Sequence, residues 1–314
     1  MSNAAAMSPA NDAALGQALA GAVATLTGAG VASPRLDARL LAARVLGWDQ
    51  ARVLARPEHA MTGAQRASFE SLVRRRARRE PMAHILGRRE FWGLDFQVTP
   101  ATLVPRPETE TIVERALAHV DAQVDAGAGG RDAELAVLDL GTGTGCLLLS
   151  LLHELPRARG LGVDVSADAL AVARVNAARL GLAGRAGFRD GDWAAGIAGR
   201  FDLIVANPPY IADGDFAGLE PEVAGFEPRL ALSGGADGLA CHRRLLAGVG
   251  RLMADGAALL VEIGSGQADA VAAIAASAAS AASAASAGGH GLRVSAVHRD
   301  LAGHPRVLQA NRIF

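Results

Sequence analysis

Two groups of residues in this chain have the types and spacing to do chemistry. The first is Asn207-Pro208-Pro209-Tyr210, which follows the mostly apolar run Phe201-Asp202-Leu203-Ile204-Val205-Ala206. Such a run reads as a buried strand, and the prolines force it out of its sheet at once because proline brings no N–H to a ladder. Ligands of open α/β sheets bind at the carboxyl ends of strands. Asn207 is therefore expected on a stiff shelf, its amide directed into a crevice and able both to donate and to accept hydrogen bonds. Tyr210 would form a flat wall beside it. Taken alone, the tetrapeptide is also what a proline turn after a core strand looks like, and the residues upstream decide between the two.

The second group is Gly141-Thr142-Gly143-Thr144-Gly145, at the end of Val137-Leu138-Asp139-Leu140. A strand running into a glycine-rich turn lets the backbone approach a ligand closely and adopt angles closed to other residues. Asp164 ends the next apolar run, 19 residues beyond Gly145, the distance at which an acid binds ribose hydroxyls in nucleotide folds. Dinucleotide folds hold a pyrophosphate with Gly-x-Gly-x-x-Gly at a helix start. Here the spacing is Gly-x-Gly-x-Gly, and Asp139 lies two residues ahead of it. An acid there suits a ligand carrying an ammonium group better than one carrying phosphates. S-adenosylmethionine has an ammonium, a ribose and a sulfonium, and no phosphate, so it is the expected ligand. Asp192-Trp193 could cover its adenine, the acid on the exocyclic amine and the indole on the ring face, although Trp193 is equally suited to a core position.

Such groups need elements to hold them. Half of the 314 residues are hydrophobic and 20% are charged, which describes a globular chain long enough for two domains. A formal net charge of −1 gives no electrostatic case for a dedicated nucleic-acid binder. The two cysteines, Cys146 and Cys241, form neither a disulfide framework nor a zinc spacing, which fits a reducing compartment. No signal peptide and no apolar span long enough to cross a membrane is read. Met1-Ser2-Asn3-Ala4 is set aside from the fold reading.

Residues 12–80 read as a small helical bundle. Its stripes are Leu15, Leu19, Val23 and Leu26, then Leu36, Leu40, Leu41 and Val45 after a Ser33-Pro34 start, then Phe69, Leu72 and Val73 after a Thr62/Gln65 capping box. The arginine run at 74–79 is expected to face outward, as a solvated helix end or as a contact for RNA or an acidic partner. Residues 81–107 read as a β-hairpin linker with Phe91, Trp92 and Phe96 sealing a junction or lining a pocket mouth. From 108 to 314 the chain reads as one catalytic domain. A helix carries Ile112, Val113, Ala116, Leu117 and Val120, and Ala126-Gly127-Ala128-Gly129-Gly130 is a flexible link. Strands follow at 135–140, 161–165, 186–189, 201–206, 257–263, 292–298 and 306–314, with helices at 146–155, 166–180 and 242–252. This alternation is the signature of a mostly parallel sheet. The Ala-Ala-Ser tract at 275–289 is read as a surface insertion without catalytic content.

The motifs resemble those of class I S-adenosylmethionine-dependent methyltransferases. Beyond the shared motifs, Glu90-Phe91-Trp92, the stretch 99–110 with its Pro-Arg-Pro-Glu-Thr-Glu end, and the stretch 226–238 make the chain similar to the HemK/PrmC family, the peptide-chain release factor glutamine N5-methyltransferases. The resemblance covers nearly everything from residue 12 onward; the Ala-Ala-Ser tract departs from it and touches no motif. It implies a seven-stranded, mostly parallel Rossmann-like methyltransferase sheet behind an N-terminal helical bundle and a hairpin linker; because the bundle carries no residues suited to chemistry, it is expected to dock the protein substrate. It implies S-adenosylmethionine as cofactor, S-adenosylhomocysteine as product, class 1 release factors as partners, and a cytoplasmic location. Carried onto this chain, it assigns catalysis to Asn207, Pro208 and Tyr210. Cofactor binding falls to Gly141, Thr142, Gly143, Thr144, Gly145, Asp164, Asp192, Trp193 and Asn207, and substrate binding to Asn207, Pro208, Pro209 and Tyr210, with no metal.

Other readings of the same residues stand beside it. A ribosomal-protein glutamine methyltransferase would use similar motifs. An adenine-N6 DNA methyltransferase shares Asn-Pro-Pro-Tyr, but it must flip a base and grip phosphates, and only the 74–79 run offers cations for that. A nicotinamide oxidoreductase conflicts with the glycine spacing, and a non-catalytic binding module leaves Asn207–Tyr210 unexplained.

Overall fold

The computed structural model describes residues 14–123, 129–285 and 291–313. It divides into two compact units, one of the chain up to Gly87 together with Pro221–Phe226, the other of Arg88–Glu220 with Glu227–Phe314.

The first unit is helical: α1 (Leu15–Gly28), α2 (Pro34–Leu46), α3 (Gln50–Ala55), α4 (Gly63–Ala77) and α5 (Met82–Leu86). Thr62 and Gln65 do form a reciprocal capping box at the start of α4. Pro34 does open α2, but the Ser33 side chain caps nothing. The core is Leu15, Leu26, Leu41, Val53, Met61, Phe69 and Val73, whereas Leu36 is exposed, so α2 turns Ala38, Leu41 and Ala42 inward instead. Two expectations are corrected. The unit runs past residue 80, because Pro81 and the left-handed Gly87 bracket α5, which is too short to show periodicity. The arginine run is not simply a solvated end: Arg76 is buried and donates to Asp37 at 2.7 Å and to Glu222 at 3.0 Å, and Arg79 makes a bidentate pair with Glu222 at 2.7 and 2.6 Å. Burial of the Arg76 cation is met by carboxylates that come from far along the chain.

The second unit opens with the hairpin β1 (Arg88–Phe91) and β2 (Leu94–Gln97), then α6 (Glu110–Ala122), β3 (Ala136–Leu140), α7 (Cys146–Glu154), β4 (Arg159–Asp164), α8 (Ala167–Arg179), β5 (Ala186–Asp190) and β6 (Phe201–Ala206). After α9 (Pro221–Phe226), which belongs to the first unit, come α10 (Ala240–Val249), β7 (Met253–Glu262), α11 (Ala268–Ala285), β8 (Gly291–Arg299) and β9 (Pro305–Ile313). The seven-stranded sheet has the order β5-β4-β3-β6-β7-β9-β8. Its first five strands are parallel, and β9 runs antiparallel to β7 and β8. Successive residues of the central strands face opposite layers: Val137, Leu203 and Val205 pack with α6 and α7, while Leu138, Leu140, Ile204 and Ala206 pack with α10 and α11.

Phe91 and Phe96 meet edge to face at 6.2 Å and are buried in the first of these layers, so they are core residues. The link proposed at 126–130 lies partly outside the described residues, as does the end of the Ala-Ala-Ser tract. Its earlier part continues α11, in keeping with alanine's helix propensity, and Ala275 is core rather than surface.

Candidate active site

The sheet order reverses between β3 and β6, and that reversal places the two chemical groups side by side. Leu140 and Ala206 are register partners. The chain therefore leaves β3 into the glycine turn next to where it leaves β6 into Asn207. Gly141, Gly143 and Gly145 all have positive φ, +78°, +55° and +80°. With them the turn folds back on β4, the Gly141 and Thr142 N–H groups donating to the Val163 carbonyl at 2.8 and 3.0 Å.

Asp164 sits at the mouth of this turn. One oxygen accepts from the Gly143 N–H and the other from the Ser166 N–H, both at 2.9 Å. Two backbone donors fix the carboxylate's orientation and leave lone pairs on both oxygens for further donors. A cavity of about 190 Å³ opens here, lined among others by Thr142, Gly143, Asp164, Trp193, Asn207 and Pro209. Gly191 and Gly162 back it, since a Cβ at either would come within 3 Å of Val163 or of Thr142 and Phe188. Trp193 has φ +50° and sets its ring 3.4 Å from where a Gly141 side chain would begin.

Asn207 donates from Nδ2 to the Thr109 hydroxyl at 3.2 Å, which leaves its Oδ1 to meet a ligand. Tyr210 is partly buried, and its hydroxyl donates to Glu262 at 3.4 Å. Its backbone carbonyl accepts from the Gln267 amide at 3.1 Å. Gly264 makes room for the tyrosine ring, which a Cβ there would approach at 3.2 Å.

The titratable groups narrow the chemistry. Burial pushes the Cys146 thiol up to about 12 and raises that of Cys241. Both line the cavity, and neither offers a thiolate at neutral pH. Burial, with the Glu262 charge, pushes the Tyr210 phenol up to about 12, so it stays a donor. Arg106 is paired with Glu227, and Arg244 with Asp192. The cavity thus presents fixed amide and carboxylate groups, with its two lining arginines engaged. That set fits a nucleoside bearing no phosphate.

Of the residues expected here, Gly141, Thr142, Gly143, Thr144, Asp164, Asp192, Trp193, Asn207 and Pro209 line one cavity, while Gly145, Pro208 and Tyr210 are not among its lining residues. Asp192 is engaged by Arg244. Asp139 is wholly buried, does not line the cavity, and takes the Thr142 hydroxyl at 2.7 Å. Its reading as the ammonium partner is therefore corrected: it pins the turn from beneath. Sequence reasoning gave no role to Thr109 or Glu262. A single acid at the end of the apolar run Leu259-Leu260-Val261-Glu262 was the available signal.

Comparison with known proteins adds independent findings. Residues 17–87 match the family model described as PrmC N-terminal domain, and residues 128–219 match the methyltransferase small domain. The chain is 47% identical over 284 residues to the release factor glutamine methyltransferase of Rhodospirillum rubrum, covering 90% of this chain and 81% of that protein. It is 42% identical over 306 residues to the one from Agrobacterium fabrum, covering 98% of this chain and all of that protein. The solved structure of a release-factor-specific protein-(glutamine-N5) methyltransferase from Alicyclobacillus acidocaldarius is 28% identical, with a TM-score of 0.37, over 68% of this chain and 98% of the other.

Proposed function

Since the chain belongs to the release factor glutamine methyltransferase family, we propose that it methylates the side-chain amide nitrogen N5 of the glutamine in the Gly-Gly-Gln motif of class 1 peptide-chain release factors, in the cytoplasm where translation terminates. The observation that carries this reading is the adjacency of Asn207 and the Asp164-supported glycine turn, on neighbouring strand ends and around one cavity.

S-adenosylmethionine, when bound, supplies an electrophilic methyl carbon on a cationic sulfur. Asp164, oriented by the Gly143 and Ser166 N–H groups, would hold the ribose hydroxyls, and Trp193 would cover the adenine. The remaining work is positioning. An amide nitrogen is a weak nucleophile because its lone pair is delocalised into the carbonyl. Fixed acceptors on both of its N–H groups hold it with that lone pair aimed at the incoming carbon, and alignment of this kind accounts for much of the rate. Asn207 Oδ1 is one acceptor. The Pro208 carbonyl is the other, on a backbone whose φ the ring fixes. Tyr210 supports the amide plane. No strong base is required, because the nitrogen becomes strongly acidic once methylated and its proton then leaves readily.

The test is methyl transfer to a purified release factor, with the modified residue located by mass spectrometry. Gln→Ala in the Gly-Gly-Gln motif is expected to abolish labelling, and Asn207→Ala to lower turnover by roughly 10²-fold or more, as does loss of one positioned polar group elsewhere. Labelling of the Gln→Ala factor, of a ribosomal protein in its place, or of adenine-rich duplex DNA would overturn the reading.

A further inference from the structure

Gln267 stands between the end of β7 and the start of α11, and its side-chain amide ties together three stretches of the catalytic unit. Its Oε1 accepts the Gly264 N–H at 2.9 Å, just past β7. Its Nε2 donates to the Tyr210 carbonyl at 3.1 Å, just past β6, and to the Gly238 carbonyl at 3.3 Å, just ahead of α10. Two carbonyls and one N–H fit a primary amide in one orientation only, with both donors and the oxygen in use. The Gln267 backbone is fixed as well, its N–H donating to the Gly264 carbonyl at 3.0 Å and its carbonyl accepting the Val271 N–H at 2.9 Å in the first turn of α11. The three stretches close tightly on the amide: a Cβ at Gly264 would lie 2.7 Å from Oε1, and one at Gly238 2.8 Å from Nε2.

Asn207-Pro208-Pro209-Tyr210 is thereby held at both ends. On the entry side, Ala206 pairs in register with Leu140 of β3 and Val261 of β7. On the exit side, the peptide joining Tyr210 to Ile211 is held along both edges. Its N–H donates to the Leu232 carbonyl at 3.0 Å, and its carbonyl takes the Gln267 amide. The next peptide is held too, the Ile211 carbonyl accepting the Gly234 N–H at 2.8 Å. Between the two ends, each proline ring fixes a φ.

We propose that Gln267 is a positioning residue for methyl transfer: by holding the peptide after Tyr210, it sets where the Pro208 carbonyl and the Tyr210 ring stand against the target amide. The inference rests on the reading of Asn207 and the Pro208 carbonyl as acceptors for the two N–H groups of that amide. Gln267, Gly238 and Gly264 are not among the residues lining the cavity. Loss of the clasp therefore falls on the alignment of the target amide and not on cofactor affinity.

The experiment measures kcat, KM for the release factor and S-adenosylmethionine affinity on the intact enzyme, well below the Tm of each variant. Gln267→Met keeps the length of the side chain and removes its donors and its acceptor. Gln267→Glu keeps the shape but turns a carboxylate oxygen, which only accepts, toward the Tyr210 and Gly238 carbonyls. A misplacement of about 1 Å can cost about 10²-fold in rate. Gln267→Met is expected to lower kcat at least about tenfold and Gln267→Glu further, with KM and cofactor affinity within about twofold, the pattern of an interaction realised in the transition state. A residue that only stabilises the fold would lower Tm and leave kcat unchanged. That outcome, or a loss of cofactor affinity equal to the loss of kcat, overturns the proposal. Should Gln267→Glu not fold, Gln267→Met decides alone. Asn207→Ala runs alongside: full activity there would sink the acceptor-site reading itself, whereas an inactive Asn207→Ala beside an unaffected Gln267→Met would sink only the clasp.

Discussion

Asp164 joins the glycine turn to the start of α8 through two backbone N–H groups while keeping lone pairs for a ligand. Charge-assisted bonds to two hydroxyls are each worth roughly 1.5–3 kcal/mol, so Asp164→Ala is expected to weaken S-adenosylmethionine binding by at least about tenfold. Calorimetry checks this, and unchanged affinity would mean the ribose lies elsewhere. Asp139 carries a different prediction. Burial pushes its carboxyl up to about 7, whereas an exposed aspartate titrates near pH 4. Its folded pKa is raised, so its contribution to stability is complete below about pH 4 and is lost as pH rises toward 7. Asp139→Asn keeps an acceptor for Thr142 without that loss. The Tm of the variant relative to the parent should therefore climb by roughly 2 °C or more between pH 5 and pH 8, and a constant difference would contradict the assignment. At this scale the sequence displayed each polar side chain but not its partner. The Asp139 carboxylate was visible, and its enclosure under Thr142 was not. Asp192 was visible, and its pairing with Arg244, 52 positions away, depends on how α10 packs.

Elements were more legible, because periodicity is a local signal. The seven strand cores follow alternation or continuous apolar runs, and the helices read at 146–155, 166–180 and 242–252 correspond to α7, α8 and α10, whereas α11 went unread because its alanine-rich sequence offers no large apolar stripe. The boundaries that escaped were those set by tertiary contact. β7 begins at Met253, where pairing with Phe201 precedes a register shift that no pattern in 253–256 announces. The loop from Gly234 to Gly238 is a second case: family resemblance marked it, but nothing local revealed what it holds. Gly238 has φ +74°, and a Cβ there would lie 2.5 Å from the Tyr210 carbonyl oxygen and 2.8 Å from the Gln267 amide nitrogen. Gln267 itself bridges the Tyr210 and Gly238 carbonyls at 3.1 and 3.3 Å. Gly238→Ala must therefore move the backbone just beyond Pro209. A shift near 1 Å can cost about 10²-fold in rate, so a fall in kcat of at least about tenfold is expected, with cofactor affinity little changed because the glycine turn is on another strand end. Wild-type kcat would show that Tyr210 has freedom the contacts deny it.

For the whole molecule, the least legible feature is that α9 belongs with the N-terminal helices although it lies between two stretches of the catalytic unit in sequence. Burial pushes the Glu222 carboxyl up, but hydrogen bonds from Arg79, its own N–H and Arg76 more than offset this and hold it below the usual value. That contribution to stability is complete above the ordinary glutamate range and is lost as pH falls through the lowered pKa. Among the described residues, none of the helical unit lines the cavity, so its proposed role is to dock the release factor. Deleting the chain up to Gly87 would strand Glu222 without Arg76 and Arg79, and the clean variant therefore also carries Glu222→Gln. Docking energy from remote contacts is spent on the protein substrate, not on a short peptide. The truncated enzyme should bind S-adenosylmethionine within about twofold of the parent and methylate a short Gly-Gly-Gln peptide at a similar rate. Its kcat/KM on the intact release factor should fall at least about tenfold. Equal losses on peptide and protein would assign the helical unit to the stability of the site, and no loss on either would remove it from substrate recognition.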